Sequence, residues 1–447
     1  MLTRRGLILS ASAFAAGCSV GSPRPADRSG RRGFVSRDGP RLRIDGRAYR
    51  YVGTNMWYAA YLGADAPFGN RPRLLRELDA LAALGVGNVR ILGSSELSPL
   101  KGSITPAFRS REQAYSEKLL GGLDFALGEM GRRGLKAVIY LTNFWEWSGG
   151  MMTYLSWTNG GRYIDMNDPA HPWPAFADLT SQFYGKAAAV ALYHHYVRAL
   201  VGRTNRLTGR PYSDDPTIMA WQLANEPRPG GSEAVGERQL PAYLDWIRGT
   251  ARLIKGLDPN HLVSTGSEGL QGCLGSEACV LAAHEPPEID YLTAHIWPQN
   301  WGWVKPGDLA GTFDEAAART RDYIRSHIAL AQRLGKPLVI EEFGFPRDSG
   351  SFDPSVSTHF KDLYYRLVFD AVLENARAGG PLAGSNFWAW SGEGRARHAD
   401  HRFRPGNTDY TGDPPHEPQG WYGVLATDES TRALIRAHAS ALEALPA

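Results

Sequence analysis

Residues 218–228 read Ile218-Met219-Ala220-Trp221-Gln222-Leu223-Ala224-Asn225-Glu226-Pro227-Arg228, an apolar run that ends abruptly in an amide, a carboxyl group and a proline. Asp214-Asp215-Pro216 precedes it and Pro227 closes it, so the run fits a central parallel strand covered on both faces. A carboxylate at the C-terminal tip of such a strand sits where the loops of a sheet or barrel converge on one cavity.

Pro337-Leu338-Val339-Ile340-Glu341-Glu342-Phe343-Gly344 repeats the design, again ending in carboxylates. Two carboxyl groups in one cavity can be held at different pKa values, as glycoside hydrolysis requires of its acid and its nucleophile. Strand alternation leaves open whether Glu341 or Glu342 faces the cavity. If Leu338 and Ile340 point out to the helices, so does Glu342; if Val339 does, the assignment reverses.

Outward from these two runs, strand-like stretches alternate with amphipathic helical ones, which predicts βα units and a parallel sheet. Strands are expected at Tyr51–Gly53, Asn88–Leu92, Ala137–Leu141, Ile218–Ala224, Leu262–Thr265, Tyr291–Ala294, Leu338–Glu341 and Gly384–Phe387. Helices are expected at Pro72–Leu84, Glu112–Arg133, Leu179–Arg203, Leu240–Gly256, Asp314–Leu334, His359–Ala378 and Ser430–Leu445, with a short one near Ala278–Ala283. The first carries Pro72 in its opening turn and an apolar stripe of Leu74, Leu75, Leu78 and Leu81. The fold class is therefore α/β, a (β/α)8 barrel with long βα-loop insertions. A hairpin over Phe34–Arg47, with turns at Asp38-Gly39-Pro40 and Asp45-Gly46, is expected to cover its floor.

The strand tips carry Asn55 and Trp57, Arg90, Asn143 and Trp145, Asn225 and Glu226, Glu268, His295 and Trp297, Glu342, and Trp388 and Trp390. A barrel core alone would call for branched apolar residues there. Polar groups converging with rings predict a sugar cleft, in which hydroxyls take hydrogen bonds and apolar sugar faces lie on aromatic rings. The insertion from Phe144 to Phe176, with Trp145, Trp147, Tyr154, Trp157, Tyr163 and Trp173, is expected to wall the cleft with stacking platforms. Arg90 lies within a strand, where an unpaired charge is costly, so it requires a carboxylate partner.

The chain resembles the retaining glycoside hydrolases of family 5, through Asn225-Glu226-Pro227 and through Glu342 before Phe343-Gly344. It is most similar to the β-mannanases of that family, through Asp214 to Arg228, Ser385-Asn386-Phe387-Trp388-Ala389-Trp390 and Gly420-Trp421-Tyr422-Gly423-Val424. The likeness runs from Phe34 to the C-terminus. It implies Glu226 as acid/base, Glu342 as nucleophile, Arg90 as the partner of Glu342, and Trp388 as the floor of the sugar site. It further implies Trp57, Asn143, Trp145, Asn225, Arg228, His295 and Trp297 as substrate-binding residues. Trp297 stands where many relatives carry a Tyr that hydrogen-bonds the nucleophile; indole donates one hydrogen bond and accepts none. Ser391–Gln419 resembles the mannanase loop at that position and is expected to close one end of the cleft, which would shorten products. The implied reaction is cleavage of internal β-1,4-mannosidic bonds in mannan, glucomannan or galactomannan by double displacement. The rivals are a β-1,4-glucanase, an exo-acting mannosidase and a lipoprotein that binds polysaccharide without cutting it.

No cofactor or metal is expected, because two carboxylates suffice. There is no Gly-x-Ser-x-Gly elbow, P-loop or dinucleotide fingerprint. His284-Glu285 and His416-Glu417 lack the second histidine of a zinc protease helix. With 49 basic and 46 acidic side chains the net charge is +3, and no dense basic run points to nucleic acid. The expected partner is a polysaccharide, and the expected state a monomer.

Thr3-Arg4-Arg5-Gly6-Leu7-Ile8 before a short apolar stretch resembles a twin-arginine export signal, and Ala15-Ala16-Gly17-Cys18 a lipobox that would lipidate Cys18. Residues 1–32 thus form signal, lipobox and tether, and 33–447 the catalytic domain, either anchored at the membrane through Cys18 or secreted. In an exported chain, Cys273 and Cys279 are expected to form a local disulfide.

Overall fold

The computed structural model describes residues 32–446; the export signal and Cys18 lie outside the described residues. Strands β1 (Val35–Asp38), β2 (Arg41–Ile44) and β3 (Arg47–Ala48) form the small antiparallel sheet. Then come the eight parallel strands β4 (Tyr51–Asn55), β5 (Asn88–Leu92), β6 (Lys136–Tyr140), β7 (Ile218–Gln222), β8 (Leu262–Ser264), β9 (Leu292–Ile296), β10 (Leu338–Phe343) and β11 (Leu382–Phe387). Their spatial order is β8-β7-β6-β5-β4-β11-β10-β9, so the first strand of the series pairs with both the second and the last. That pairing rolls the sheet into a (β/α)8 barrel. Between β8 and β9 the backbone bonds Asp290 N to Val263 O (2.7 Å) and His295 N to Glu268 O (3.2 Å) span the seam.

The helices form where the apolar stripes predict them. In Arg71–Ala83, Asn70 accepts from the amide of Arg73, Pro72 opens the helix, and Leu74, Leu78 and Leu81 are buried, with Leu75 half-buried at the stripe's edge. Boundaries moved where a cap or a break overrode periodicity. The helix expected from Glu112 begins at Glu117, behind a Ser116 cap, and the one expected from Leu179 begins at Ala187, after a shorter Ala175–Thr180 helix. Among the described residues no helix is long and apolar enough to cross a membrane.

The hairpin does close the barrel floor. Val35 and Leu42 pack with Tyr51, Val138, Met219, Leu262, Tyr291 and Val339, contributed by six of the barrel's strands or their N-terminal ends. Burying each of those two side chains is worth roughly 1.5–3 kcal/mol. With the floor plugged, the working end is the opposite one.

At that end β10 is irregular: its register against β9 slips between Ile340 and Glu342. Such a bulge sends two successive side chains to one face. Glu341 and Glu342 both turn inward, Glu341 to Gln222 and Tyr291 inside the barrel and Glu342 to the cavity.

The second insertion is a built element. It leaves on β12 (Trp390–Gly392) and returns on β13 (Val424–Leu425), which pair in parallel. Inside it the Asp413 carboxylate accepts from the amides of Gly420, Trp421 and Tyr422 at 2.7–3.0 Å. Gln419 Nε2 ties the turn over 413–417 through three carbonyls.

Cys273 and Cys279 correct an expectation: in this structure both are free, buried thiols. Their loop is ordered without a cross-link, by Cys273 N to Gly269 O (3.0 Å), Ser276 N to Cys273 O (2.9 Å) and the Ser276 hydroxyl accepting from Cys279 N.

Candidate active site

β7 is buried along its whole length, and its ladder stops at Gln222 instead of Ala224. Beyond it, Asn225 N bonds Thr142 O and Glu226 N bonds Gly266 O, both at 2.8 Å. Glu226 itself adopts φ 51°, a left-handed conformation that a Glu holds only when its surroundings impose it. The adjacent strands' tips supply that constraint and turn the carboxyl into the cavity.

Two groups meet the Glu226 carboxylate, and a third stands behind one of them. His295 Nδ1 lies 2.6 Å from Oε1, the Trp145 indole donates to Oε2, and the Arg228 guanidinium stands over the Trp145 ring, 5.0 Å from its centroid. Burial alone would raise this carboxyl, but the hydrogen bond and charge of His295, then Arg228 and Trp145, outweigh it and hold the group down at about 2. His295 shows the converse. Burial would lower it, yet Glu342 and Glu226 push it up to about 10.

Glu342 is held from below by Arg90, whose Nη1 donates to Oε1 at 2.5 Å, while His295 Nδ1 lies 3.3 Å from Oε2. Arg90 is fully buried, and its other donors are taken by Gln222 (2.7 Å), Asn55 (3.1 Å) and Asn225 (2.8 Å). Its planar fork is what lets one cation fix four partners. Carboxylate oxygens of Glu226 and Glu342 and Nδ1 of His295 all lie within 4.8 Å of one another. That is metal-ligand spacing. With His295 protonated at neutral pH and Arg90 and Trp145 donating to the carboxylates, the trio suits proton transfer.

Glu226 and Glu342 open into a cavity of about 580 Å3, within the range of small-ligand sites. Of the expected site residues, Trp145, Asn225, Arg228, Trp297 and Trp388 line it with them. Four do not. Arg90 and His295 lie beneath the carboxylates they serve. Asn143 bonds Asn225 Nδ2 and Trp145 N and so positions its neighbours. Trp57 is buried among Tyr58, Tyr61, Trp147 and Tyr410, behind the wall. Trp297 meets Trp388 edge-on with ring centres 5.7 Å apart and leans on Tyr422, so it braces the floor.

The first insertion divides likewise. Trp145, Trp147 and Trp173 face the cavity, and Trp173 is 57% exposed at its rim. Tyr154 and Trp157 instead pack inside around Arg109. Some lining residues went unread as site residues in the sequence, chiefly Trp301, Asn300, Gln271, His416 and Glu417. The last two come from the second insertion, where His416 Nδ1 lies 3.0 Å from Glu146 and joins the two insertions. Glu268, expected at a strand tip, pairs with Arg228; burial, opposed by Arg228, brings it up to about 7.

Residues 32–446 match the family described as GH family 5 beta-mannosidase-like. The chain is 31% identical over 370 residues to "Mannan endo-1,4-beta-mannosidase 1" of Arabidopsis thaliana, covering 80% of this chain and 81% of that protein. It is 30% identical over 434 residues to the Oryza sativa protein of the same name, covering 93% and 90%. Among solved structures it is similar to the glycoside hydrolase family 5 mannosidase of Rhizomucor miehei, with TM-score 0.83, 32% identity and coverage of 92% and 98%. A variant of that mannosidase has been solved with mannosyl-fructose. An endo-1,4-beta-mannanase of the same fungus shares the fold at TM-score 0.65 and 22% identity. Barrel, paired strand-tip glutamates and matches over nearly the whole described chain agree: this protein is a glycoside hydrolase that belongs to family 5, in its β-mannosidase-like group.

Proposed function

We propose that the protein cleaves β-1,4-mannosidic bonds of mannan, glucomannan or galactomannan, internal bonds included, with retention of configuration. The observation that carries the chemistry is the Glu226–His295–Glu342 trio, with ligand atoms within 4.8 Å. Retaining enzymes hold their carboxyls about 5–5.5 Å apart, inverting ones about 6.5–9.5 Å. Support for β-mannan comes from the names of the relatives.

In this reading Glu342, held in place by the Arg90 guanidinium, attacks the anomeric carbon of a sugar lying on Trp388. Glu226 protonates the departing oxygen. Glu226 and His295 Nδ1 share a proton across their 2.6 Å contact, and departure of the sugar draws it through the Glu226 carboxyl to the leaving oxygen. Glu226 then takes a proton from the water that releases the covalent intermediate. Trp145, its ring backed by Arg228, holds the carboxyl at the leaving-group oxygen.

A second reading, an exo-acting mannosidase, is favoured by the His416–Glu146 contact that joins the two insertions beside the cavity. One product analysis addresses both questions. Proton NMR of fresh digests of mannan and mannohexaose is expected to give the β-anomer first, with oligosaccharides of several lengths. An α-anomer first would overturn retention; mannose alone from the outset would establish the exo reading.

We also propose that the chain is exported by the twin-arginine route and anchored through Cys18. The support is Thr3-Arg4-Arg5-Gly6-Leu7-Ile8 and Ala15-Ala16-Gly17-Cys18. Metabolic labelling with a fatty acid should mark the native chain and not Cys18→Ser. Equal labelling, or none in either, would contradict the anchor.

A further inference from the structure

The face of the molecule opposite the cleft is basic. Between Arg32 and Arg50 the chain places six arginines, Arg32, Arg37, Arg41, Arg43, Arg47 and Arg50, against two aspartates, Asp38 and Asp45. Taking these eight out of the 49 basic and 46 acidic side chains removes the whole +3 excess. Arginine in the last turn of a helix complements the macrodipole, but these six lie on the hairpin and its approach to β4, outside every helix. The register sets Arg41 opposite Asp38 and Arg43 opposite Ser36, on the side of the hairpin away from Val35 and Leu42. Arg43 is paired, its Nε donating to Asp38 at 2.7 Å. Arg32, Arg41 and Arg47 are exposed and form no ion pair with another described residue. Burial and the charges of Arg41 and Arg43 lower the Arg50 guanidinium, as expected of like charges gathered with too little acid between them.

A second stretch extends this face. Arg206-Leu207-Thr208-Gly209-Arg210 lies in the connection ahead of β7, at the end of the barrel that the hairpin covers. Arg132, Lys136, Thr208 and Arg210 line a cavity of about 370 Å3 together with Gly33, so the loop adjoins the start of the described chain. Glu117 and Glu129 stand beside Arg206 and Arg132, which leaves the hairpin as the unneutralised part. Leu207 is 57% exposed, matched among the large apolar side chains described only by Trp173, at the rim of the cleft on the opposite end. One exposed leucine is ordinary. Set between two arginines on a basic face, it gives the mixed character of a surface that binds membrane interfaces.

The chain ahead of Arg32 supplies the direction. Cys18 lies fourteen residues before it, a reach of at most about 50 Å. We propose that the barrel floor docks on a membrane surface of anionic phospholipid headgroups, the hairpin arginines against the phosphates and Leu207 in the interface, so that the cleft opens away from the membrane toward incoming polysaccharide. This rests on the export reading proposed above.

The test is sedimentation with lipid vesicles of the full chain carrying Cys18→Ser. Leader and lack of lipidation are then common to every arm, and differences report the floor. In about 0.1 M salt, vesicles of phosphatidylcholine with about a third phosphatidylglycerol should bind at least about 100-fold more tightly than phosphatidylcholine alone. Arg32→Gln, Arg41→Gln and Arg47→Gln together should lower binding to the anionic vesicles by roughly 100-fold, about fivefold for each charge. Leu207→Ser should lower it about fivefold. Arg397→Gln, Arg402→Gln and Arg404→Gln, exposed in the second insertion, remove the same charge beyond a Debye length and should change binding by less than about threefold. Mannan hydrolysis should be equal for bound and free protein. Unchanged binding in the hairpin triple variant, or equal losses in the two triple variants, would overturn the docking face, and hydrolysis blocked on anionic vesicles would place the membrane at the cleft instead. Fatty-acid labelling of the native chain without a hairpin effect sinks the docking alone. A hairpin effect without labelling sinks the anchor alone.

Discussion

Glu342→Ala is expected to lower kcat on mannan by roughly 10^4- to 10^6-fold in a chain that still folds, since Arg90 keeps Gln222, Asn55 and Asn225 as acceptors. The carboxylate forms the covalent bond, and no neighbour can replace it. Glu341 is adjacent in sequence but is bound to Gln222 and Tyr291 inside the barrel. His295 is charged, and the Arg90 guanidinium is not a nucleophile. Glu226→Ala should cost less, roughly 10^2- to 10^4-fold on mannan, and much less on aryl mannosides whose leaving groups need little protonation. Comparable kcat values for Glu342→Ala and wild type would remove Glu342 from its assigned role.

The second large effect is expected at Arg90. Arg90→Met leaves the buried acceptors of Gln222, Asn55 and Asn225 and the Glu342 carboxylate without their shared donor, a loss of about 3–5 kcal/mol of stability. Arg90→Lys separates folding from catalysis. An ammonium restores the charge but cannot reach four acceptors arranged around a planar fork. Glu342 then loses its fixed orientation, and kcat/KM should drop by roughly 10^2-fold while thermal melting shifts far less than in Arg90→Met. Wild-type kcat/KM in Arg90→Lys would show that geometry at this cation does not matter.

The barrel was legible because its strands are fully buried and sharply punctuated. Ile218–Gln222 could be read as a central strand from its lack of polar residues, and Glu226 as its functional tip from the abrupt end. Arg90 was legible for a related reason, since a cation inside a strand must find an anion. Other features depend on geometry that no residue type announces. The slip in β10 is a matter of register, so alternation could not separate Glu341 from Glu342. The left-handed backbone at Glu226 is imposed by neighbouring strands and breaks the rule that non-glycine residues avoid it. Trp57 and Asn143 share strand-tip positions with true lining residues, and only packing reveals that they stand behind the wall. Glu417 sits in an insertion of Arg, His, Asp and Pro with no periodicity, and only the Asp413 clasp aims it at the cavity. Cys273 and Cys279 have the spacing of a local cross-link, yet hydrogen bonds already order their loop.

The measurement that bears most directly on the central claim is the anomeric configuration of the azide adduct formed by each glutamate variant on an activated aryl β-mannoside. In Glu226→Ala the covalent intermediate on Glu342 still forms, and azide, which needs no general base, resolves it to a β-mannosyl azide. In Glu342→Ala no intermediate forms, so azide enters the vacated space and displaces the leaving group directly, giving the α-mannosyl azide. A β-azide from Glu342→Ala, or an α-azide from Glu226→Ala, would contradict the assignment of the two glutamates.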